Sequence, residues 1–190
     1  MKDLTEIRWH GRGGQGVVTA GKVLAETALE AGLYFQAFPD YGPERAGAPI
    51  RAYTRLSKRP IVVHNQIDSP DVVVVLDPTI LSTVSVVDGL EEGGIVIVNT
   101  SQPPDKLRAQ LKLEGGRVFA VNASHIAIEE TGREITNTPM LGALAKATGL
   151  FTLDAVIAQL RHSFGTKLSA EIVEANVRAA KRAAEEMKED

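Results

Sequence analysis

The sequence contains no cysteine among its 190 residues. Disulfides, thiolate nucleophiles and iron-sulfur clusters bound through cysteine are therefore excluded for this chain. Histidine is also scarce, with four in all. They are His10, His64, His125 and His162. None has a His or Glu neighbour at the spacing that metal sites use, so we expect no metal site.

Excess charge and long apolar runs are also missing. The chain has 21 basic and 24 acidic side chains, a formal net charge of -3, and no basic cluster, which argues against nucleic-acid binding. The longest apolar runs, Val72–Leu76 and Gly94–Val98, have the length of strands rather than of membrane spans. The first ten residues contain no apolar stretch that could serve as a signal peptide. We therefore expect no membrane segment and a cytoplasmic protein.

What the sequence does contain is an alternation of strand and helix patterns. Residues 5–10, TEIRWH, alternate like a strand and end at glycines, and apolar residues recur at helical spacing from Gln15 to Ala31. Continuous apolar runs predict strands buried on both faces at Val72–Leu76, Ile95–Val98 and Val118–Val121. Further strands are predicted at Leu33–Phe38, Pro49–Leu56 and Ile61–His64, the last two as a hairpin, and helices at Ser124–Glu130, Met140–Thr148, Leu153–His162 and Ala170–Lys188.

No repeat or linker divides the chain, so residues 1–190 are expected to form one unit. The predicted fold is a three-layer, Rossmann-like α/β unit with a mixed, mostly parallel sheet and a helical C-terminal third.

The first glycine-rich stretch, HGRGGQG, raises the question of a nucleotide site. Gly11, Gly13 and Gly16 have the spacing of a dinucleotide fingerprint and lie between a predicted strand and a predicted helix. A glycine turn of this kind lets the backbone approach an anion at the helix N-terminus. An NAD site also needs an acidic residue about 20 positions later, where this chain has Gln36 and Ala37. NAD is thus the weaker interpretation, and the glycines could equally serve a tight turn and close packing.

Several other side chains are candidates for function. Charged residues in or near the glycine-rich loops are Arg12, Glu44, Arg45 and Arg51. Each alone is more often a solvated loop charge, but they cluster in the sequence. Asp77 ends a buried strand, where open α/β sheets bind ligands, although an Asp-Pro step more simply starts a turn. Trp9, on the first strand, is expected in the core.

Four blocks, HGRGGQG, AFPDYGPERAGAPIRA, DVVVVLDPTIL and NTPMLGALAKATG, resemble the gamma subunit of 2-oxoacid:ferredoxin oxidoreductases. They follow one another in the expected order between Trp9 and Gly149. The resemblance implies a complex whose alpha, beta and delta subunits carry thiamine diphosphate, magnesium and 4Fe-4S clusters. Such a complex converts a 2-oxoacid and CoA to acyl-CoA and CO2 and reduces ferredoxin. This chain would hold no cofactor and no catalytic residue, in keeping with its lack of cysteine.

The resemblance also implies two segments that face CoA or a partner subunit. The first is formed by Gly11, Arg12, Gly13, Gly14, Gln15 and Gly16, and the second by Tyr41, Gly42, Pro43, Glu44 and Arg45. We expect the two segments to lie side by side, and Arg12 or Arg45 to contact an anion or a carboxylate. We also expect a partner to cover part of the loop from Phe38 to Ile50, because it exposes Phe38, Tyr41 and Ile50, with Phe38, Tyr41 and Arg45 as anchors.

The 2-oxoacid is expected to be pyruvate, because NTPMLGAL is more similar to pyruvate-type gamma chains than to 2-oxoglutarate-type ones. A branched-chain 2-oxoacid is the next alternative, and indolepyruvate comes after it. A different class of function stays open at this point: a free-standing α/β module that binds a nucleotide through Gly11–Gly16.

Overall fold

The computed structural model describes residues 2–40 and 47–190, and these residues build one mixed sheet. Its strands are β1 (Leu4–Arg12), β2 (Tyr34–Asp40), β3 (Pro49–Ser57), β4 (Val72–Val75), β5 (Ile95–Asn99), β6 (Arg117–Val121) and β7 (Lys188–Glu189). The strand order is β2-β3-β1-β4-β5-β6-β7. Strands β1, β4, β5 and β6 are parallel, and β3 and β7 run against their neighbours. The prediction of a mixed, mostly parallel sheet is confirmed.

The helices cover the two faces of the sheet unequally. They are α1 (Val17–Glu30), α2 (Pro104–Leu111), α3 (Ala123–Thr131), α4 (Asn137–Thr148), α5 (Leu153–Gly165) and α6 (Ala170–Glu186), with a short 3-10 helix at Pro78–Ser82. Helices α1, α3, α4, α5 and α6 bury the larger apolar core, which includes Leu24, Leu144 and Leu160. The opposite face has a smaller core in which Leu107 of α2 and Ile80 meet the valines of β4 and β5. These layers match the predicted fold class.

The central strand β1 has two chemically different faces, because successive side chains of a strand point in opposite directions. Trp9 is fully buried in the larger core, as predicted. Arg8 and His10 flank it and are also buried, on the face that these helices do not cover. The Arg8 guanidinium donates to the carbonyl oxygens of Val86, at 3.0 Å, and Asp88. A buried arginine thus holds the chain between β4 and β5 against this face of the sheet.

The strand and hairpin predicted at residues 61–64 are wrong. This segment has no regular structure, and Val62 is 81% exposed. The buried Arg55 side chain donates to the carbonyl oxygens of Val63 and Gln66, both at 3.4 Å. Side-chain hydrogen bonds to Arg55 therefore hold this segment, and a strand ladder does not form.

Other boundaries differ less. Phe38–Asp40, which the sequence predicts as the start of a loop, continue strand β2. The last helix ends at Glu186, and Lys188–Glu189 pair with β6 as β7. Helix α2 was not predicted, since its sequence PDKLRAQL is mostly charged and polar and buries little beyond Leu107.

Candidate functional site

The glycine turn, residues 11–16, joins β1 to α1 at the carboxyl end of β1. Gly14 and Gly16 have φ angles of +96° and +80°, which residues with a Cβ adopt only under strain. Gly16 is the N-cap of α1. No side chain caps this helix end through a hydrogen bond, and the first turn contains no acidic residue. The first N–H groups of a helix lack partners within the helix and carry partial positive charge. This end of α1 is therefore suited to an anion.

Close packing also requires glycine at positions 11 and 16. A Cβ on Gly11 would lie 2.6 Å from Cγ2 of Val17, and one on Gly16 would lie 2.6 Å from Nδ2 of Asn137. Asn137 is the first residue of α4. The N-termini of α1 and α4 therefore meet at Gly16. The packing interpretation of the glycines and the anion interpretation are thus both compatible with this geometry.

Gln15 braces the turn from inside. Its Oε1 accepts from the backbone N–H of Arg12 at 2.7 Å, and its Nε2 donates to Oδ2 of Asp77 at 2.7 Å. This bond ties the turn to the carboxyl end of β4, 62 residues away. Gln15 is therefore engaged within the chain.

Asp77 starts a turn, as predicted. It caps the 3-10 helix and accepts from the backbone N–H of Thr79 at 2.9 Å and from the Thr79 hydroxyl at 2.7 Å. Burial alone would raise the pKa of Asp77, but hydrogen bonds from Thr79 and Gln15 and the charge of Arg12 hold the pKa below its ordinary value. Asp77 is thus an ionised carboxylate that holds the glycine turn in place through Gln15 and Arg12.

Arg12 uses its guanidinium within the chain. Nε lies 3.2 Å from the Thr79 hydroxyl and 3.3 Å from Oδ2 of Asp77, and Nη1 donates to the carbonyl oxygen of Gly47 at 3.0 Å. Among the described residues, Arg12 thus contacts a carboxylate of its own chain, that of Asp77.

The second predicted segment, Tyr41, Gly42, Pro43, Glu44 and Arg45, lies outside the described residues. Residues 47–49, which follow this segment closely, are described and lie against the glycine turn. The backbone N–H of Gly13 donates to the carbonyl oxygen of Ala48 at 3.3 Å, and Arg12 is paired with Pro49 in the β1–β3 register. The position of residues 41–45 beside the turn stays a prediction.

Phe38 packs within its own chain. Its ring lies 5.2 Å from that of Tyr53, and the Arg55 guanidinium lies 5.5 Å from its centroid. Ile50 is likewise half-buried against the larger core. Phe38 is only half-buried, and the expectation that a partner covers part of it stays a prediction. Asp40 is also engaged, with Arg51 at 2.8 Å and with the Tyr53 hydroxyl at 3.2 Å.

His10, directly before the turn, is a buried imidazole for which the sequence suggests no role other than metal binding. Its Nε2 lies 3.1 Å from Nε of Arg8. Because arginine only donates, Nε2 is the acceptor and the neutral ring carries its proton on Nδ1. Burial, and then the charges of Arg8 and Arg51, lower the pKa of His10 to about 3. His10 is therefore neutral at physiological pH.

Metal sites, membrane-spanning helices and cavities also bear on function. Within residues 2–40 and 47–190, no three acidic or histidine side chains lie close enough to hold a metal ion. No helix in these ranges is long and apolar enough to cross a membrane. A cavity of about 610 Å³ lies between α1 and α5 and is lined by residues that include Lys22, Glu26 and His162, not by the glycine turn.

Comparison with known proteins decides the family. The profile described as pyruvate ferredoxin/flavodoxin oxidoreductase matches residues 6–186. The chain belongs to this family. Pyruvate synthase subunit PorC of Thermotoga maritima is 48% identical over 187 residues, which cover 98% of this chain and 96% of that protein. The common gamma subunit of pyruvate/ketoisovalerate oxidoreductases of Pyrococcus abyssi is 50% identical over 182 residues, 96% of each chain.

Solved structures agree with this membership. The crystal structure of the Thermotoga maritima pyruvate oxidoreductase subunit PORC has a TM-score of 0.88 and 44% identity, covering 100% of this chain and 99% of that one. The gamma subunit of a keto/oxoacid ferredoxin oxidoreductase from Geobacter sulfurreducens has a TM-score of 0.74 at 26% identity. The resemblance carried by the four sequence blocks is confirmed.

Proposed function

We propose that this chain is the gamma subunit of a pyruvate:ferredoxin oxidoreductase. The complex would convert pyruvate and CoA to acetyl-CoA and CO2 and pass the electrons to ferredoxin. The observation that carries the proposal is the match to pyruvate synthase subunit PorC of Thermotoga maritima along nearly the whole of both chains. The single-unit organisation and the cytoplasmic location remain predictions from the sequence.

Cofactors are assigned to other subunits in this proposal. The sequence has no cysteine to hold a 4Fe-4S cluster. Thiamine diphosphate, magnesium and the clusters would be held by alpha, beta and delta partners, and the 2-oxoacid would bind there as well. Relatives named as a common gamma subunit of pyruvate and ketoisovalerate oxidoreductases support this division, because a subunit common to both enzymes does not select between their substrates.

The glycine turn is the proposed contact for CoA in this chain. Three features support it: the left-handed backbone at Gly14 and Gly16, the N-terminus of α1 without a side-chain cap, and the absence of acidic residues in the first turn of α1. We propose that residues 41–45 border the same site, since their flank hydrogen-bonds to Gly13.

Replacement of Gly16 by Ala in the assembled complex tests the site. The new Cβ would meet Asn137 at a left-handed φ, so the turn must shift. We expect the KM for CoA to rise about tenfold, equivalent to about 1.4 kcal/mol of binding, with the KM for pyruvate unchanged. Gly32→Ala is the matched control, because Gly32 has a φ of +73° at the far end of α1 with open space around it.

Two results would count against these assignments. An unchanged KM for CoA in an intact Gly16→Ala complex would remove the glycine turn from the CoA site. Failure of the chain to co-purify with subunits that together reduce ferredoxin from pyruvate and CoA would refute the subunit assignment itself.

A further inference from the structure

Arg12 lies where the ends of three chain segments meet. It is the last residue of β1. Its side chain reaches Thr79 in the 3-10 helix after β4, and Gly47, just before β3. We infer that Arg12 is a positioning residue: its guanidinium holds Gly47 against the glycine turn, and it does not itself bind the anion. That Arg12 supports CoA binding by holding these residues in place rests on the proposed function.

The contacts use the planar shape of the guanidinium. Nε and Nη2 both donate to the Thr79 hydroxyl, at 3.2 and 2.9 Å, and Nη1 donates in another direction to the Gly47 carbonyl oxygen at 3.0 Å. A lysine ammonium in this place is a single point charge on a flexible stem and does not reproduce this fork. The arrangement therefore depends on arginine's geometry and not only on its charge.

The charge of Arg12 is already matched within the chain. Oδ2 of Asp77 lies 3.3 Å from Nε, and the low pKa of Asp77 keeps this carboxylate ionised. A bound phosphate would have to compete with that carboxylate for the same guanidinium. The geometry thus favours a bracing role for Arg12 over direct contact with a ligand.

The Gly47 end has a second tie to the turn. The Gly13 N–H donates to the carbonyl oxygen of Ala48, beside the bond from Arg12 to Gly47. Two hydrogen bonds therefore join the glycine turn to residues 47–48. The Arg12 side chain is 32% exposed, so its replacement leaves the apolar core intact.

The test compares Arg12→Lys and Arg12→Gln in the full chain by hydrogen exchange of the peptides that cover residues 11–16 and 47–52. We expect both variants to exchange about tenfold faster there than the wild type. In the assembled complex both should raise the KM for CoA by a similar factor, with kcat at saturating CoA nearly unchanged. Arg161→Lys, in a surface ion pair with Glu174, is the control and should change neither.

Each outcome has a defined meaning. Unchanged exchange in both variants, or wild-type exchange and KM restored by Arg12→Lys, would overturn the inference, the latter because charge alone would suffice. Faster exchange in both variants with an unchanged KM for CoA would uphold the positioning role and refute the CoA site. Faster exchange with a raised KM supports both.

Discussion

At the scale of single residues, the polar side of β1 is the least expected part of the molecule. Arg8, His10 and Arg12 occupy alternate positions, and Arg8 and Arg12 both reach the chain between β4 and β5. The alternation is visible in the sequence RWHGR. The role of these side chains is not visible there, because the backbone carbonyl groups that Arg8 contacts lie about 60 to 80 residues further along the chain.

His10 gives the stability of the protein a specific pH dependence. Its pKa is about 3 in the folded chain and about 6.5 in the unfolded chain. The unfolded state therefore binds a proton below pH 6.5 that the folded state does not, so stability is lost as the pH falls. We expect a slope of about 1.4 kcal/mol per pH unit from this residue between pH 6 and 4.5.

His10→Gln removes this proton linkage and keeps an acceptor for Arg8. Urea unfolding at several pH values should show a flatter dependence in this range than for the wild type, whatever the absolute stability of the variant. Carboxylates, with ordinary pKa values of about 4, also titrate at the lower end of this range, but they do so in both proteins, so the difference between the two slopes reports His10. His162→Gln, at an exposed position on α5, is the control. Equal slopes for His10→Gln and the wild type would contradict the prediction.

The sequence predicts the candidate site only in part. Gly14 and Gly16 were correctly placed in a turn between a strand and a helix, because glycine spacing is a local signal. Asn137, which packs on Gly16, was missed, since the contact joins residues 121 positions apart in the numbering. Thr79 was missed as a partner of Arg12 for the same reason.

At the scale of elements, α4 and α6 approach each other more closely than side chains normally allow. A Cβ on Gly142 of α4 would lie 2.0 Å from the carbonyl oxygen of Ala180 on α6. Alanine usually stabilises a helix by about 1 kcal/mol relative to glycine. Here we expect Gly142→Ala to destabilise the fold by about 2–3 kcal/mol, because the helices must separate.

Denaturant unfolding of the full chain measures this effect. Gly165→Ala is the matched control, since Gly165 ends α5 and a Cβ there has open space. It should be neutral or stabilising by about 0.5 kcal/mol. A Gly142→Ala variant as stable as the wild type would show that the helices do not pack as described.

Apolar periodicity explains which elements could be predicted. The strands β4, β5 and β6 are continuous apolar runs with no competing interpretation, and α1 has a clear apolar stripe. Helix α2 was missed because Leu107 is one of few apolar residues in it. Residues 61–64 resemble a strand locally, and only the hydrogen bonds to Arg55 show why they are not one.

At the scale of the whole molecule, the chain is expected to be a folded but inactive part of an enzyme. We predict that the purified chain contains no iron and no thiamine diphosphate, and does not turn over pyruvate with CoA. It has no cysteine, and its described residues contain no cluster suited to a metal. Metal analysis and a ferredoxin-reduction assay check this, with the reconstituted complex as the positive control. Iron bound in stoichiometric amount, or activity without partners, would refute it.

The central position of β1 has a consequence for synthesis on the ribosome. Leu4–Arg12 leave the ribosome before the strands that pair with them in the sheet, Pro49–Ser57 and Val72–Val75. Until residue 75 has emerged, the nascent strand has at least one unpaired edge, and Trp9 has no complete core to enter. Strand β1 therefore lacks its native pairing until β4 has been synthesised, and this is the period in which a chaperone that binds exposed apolar strands would act.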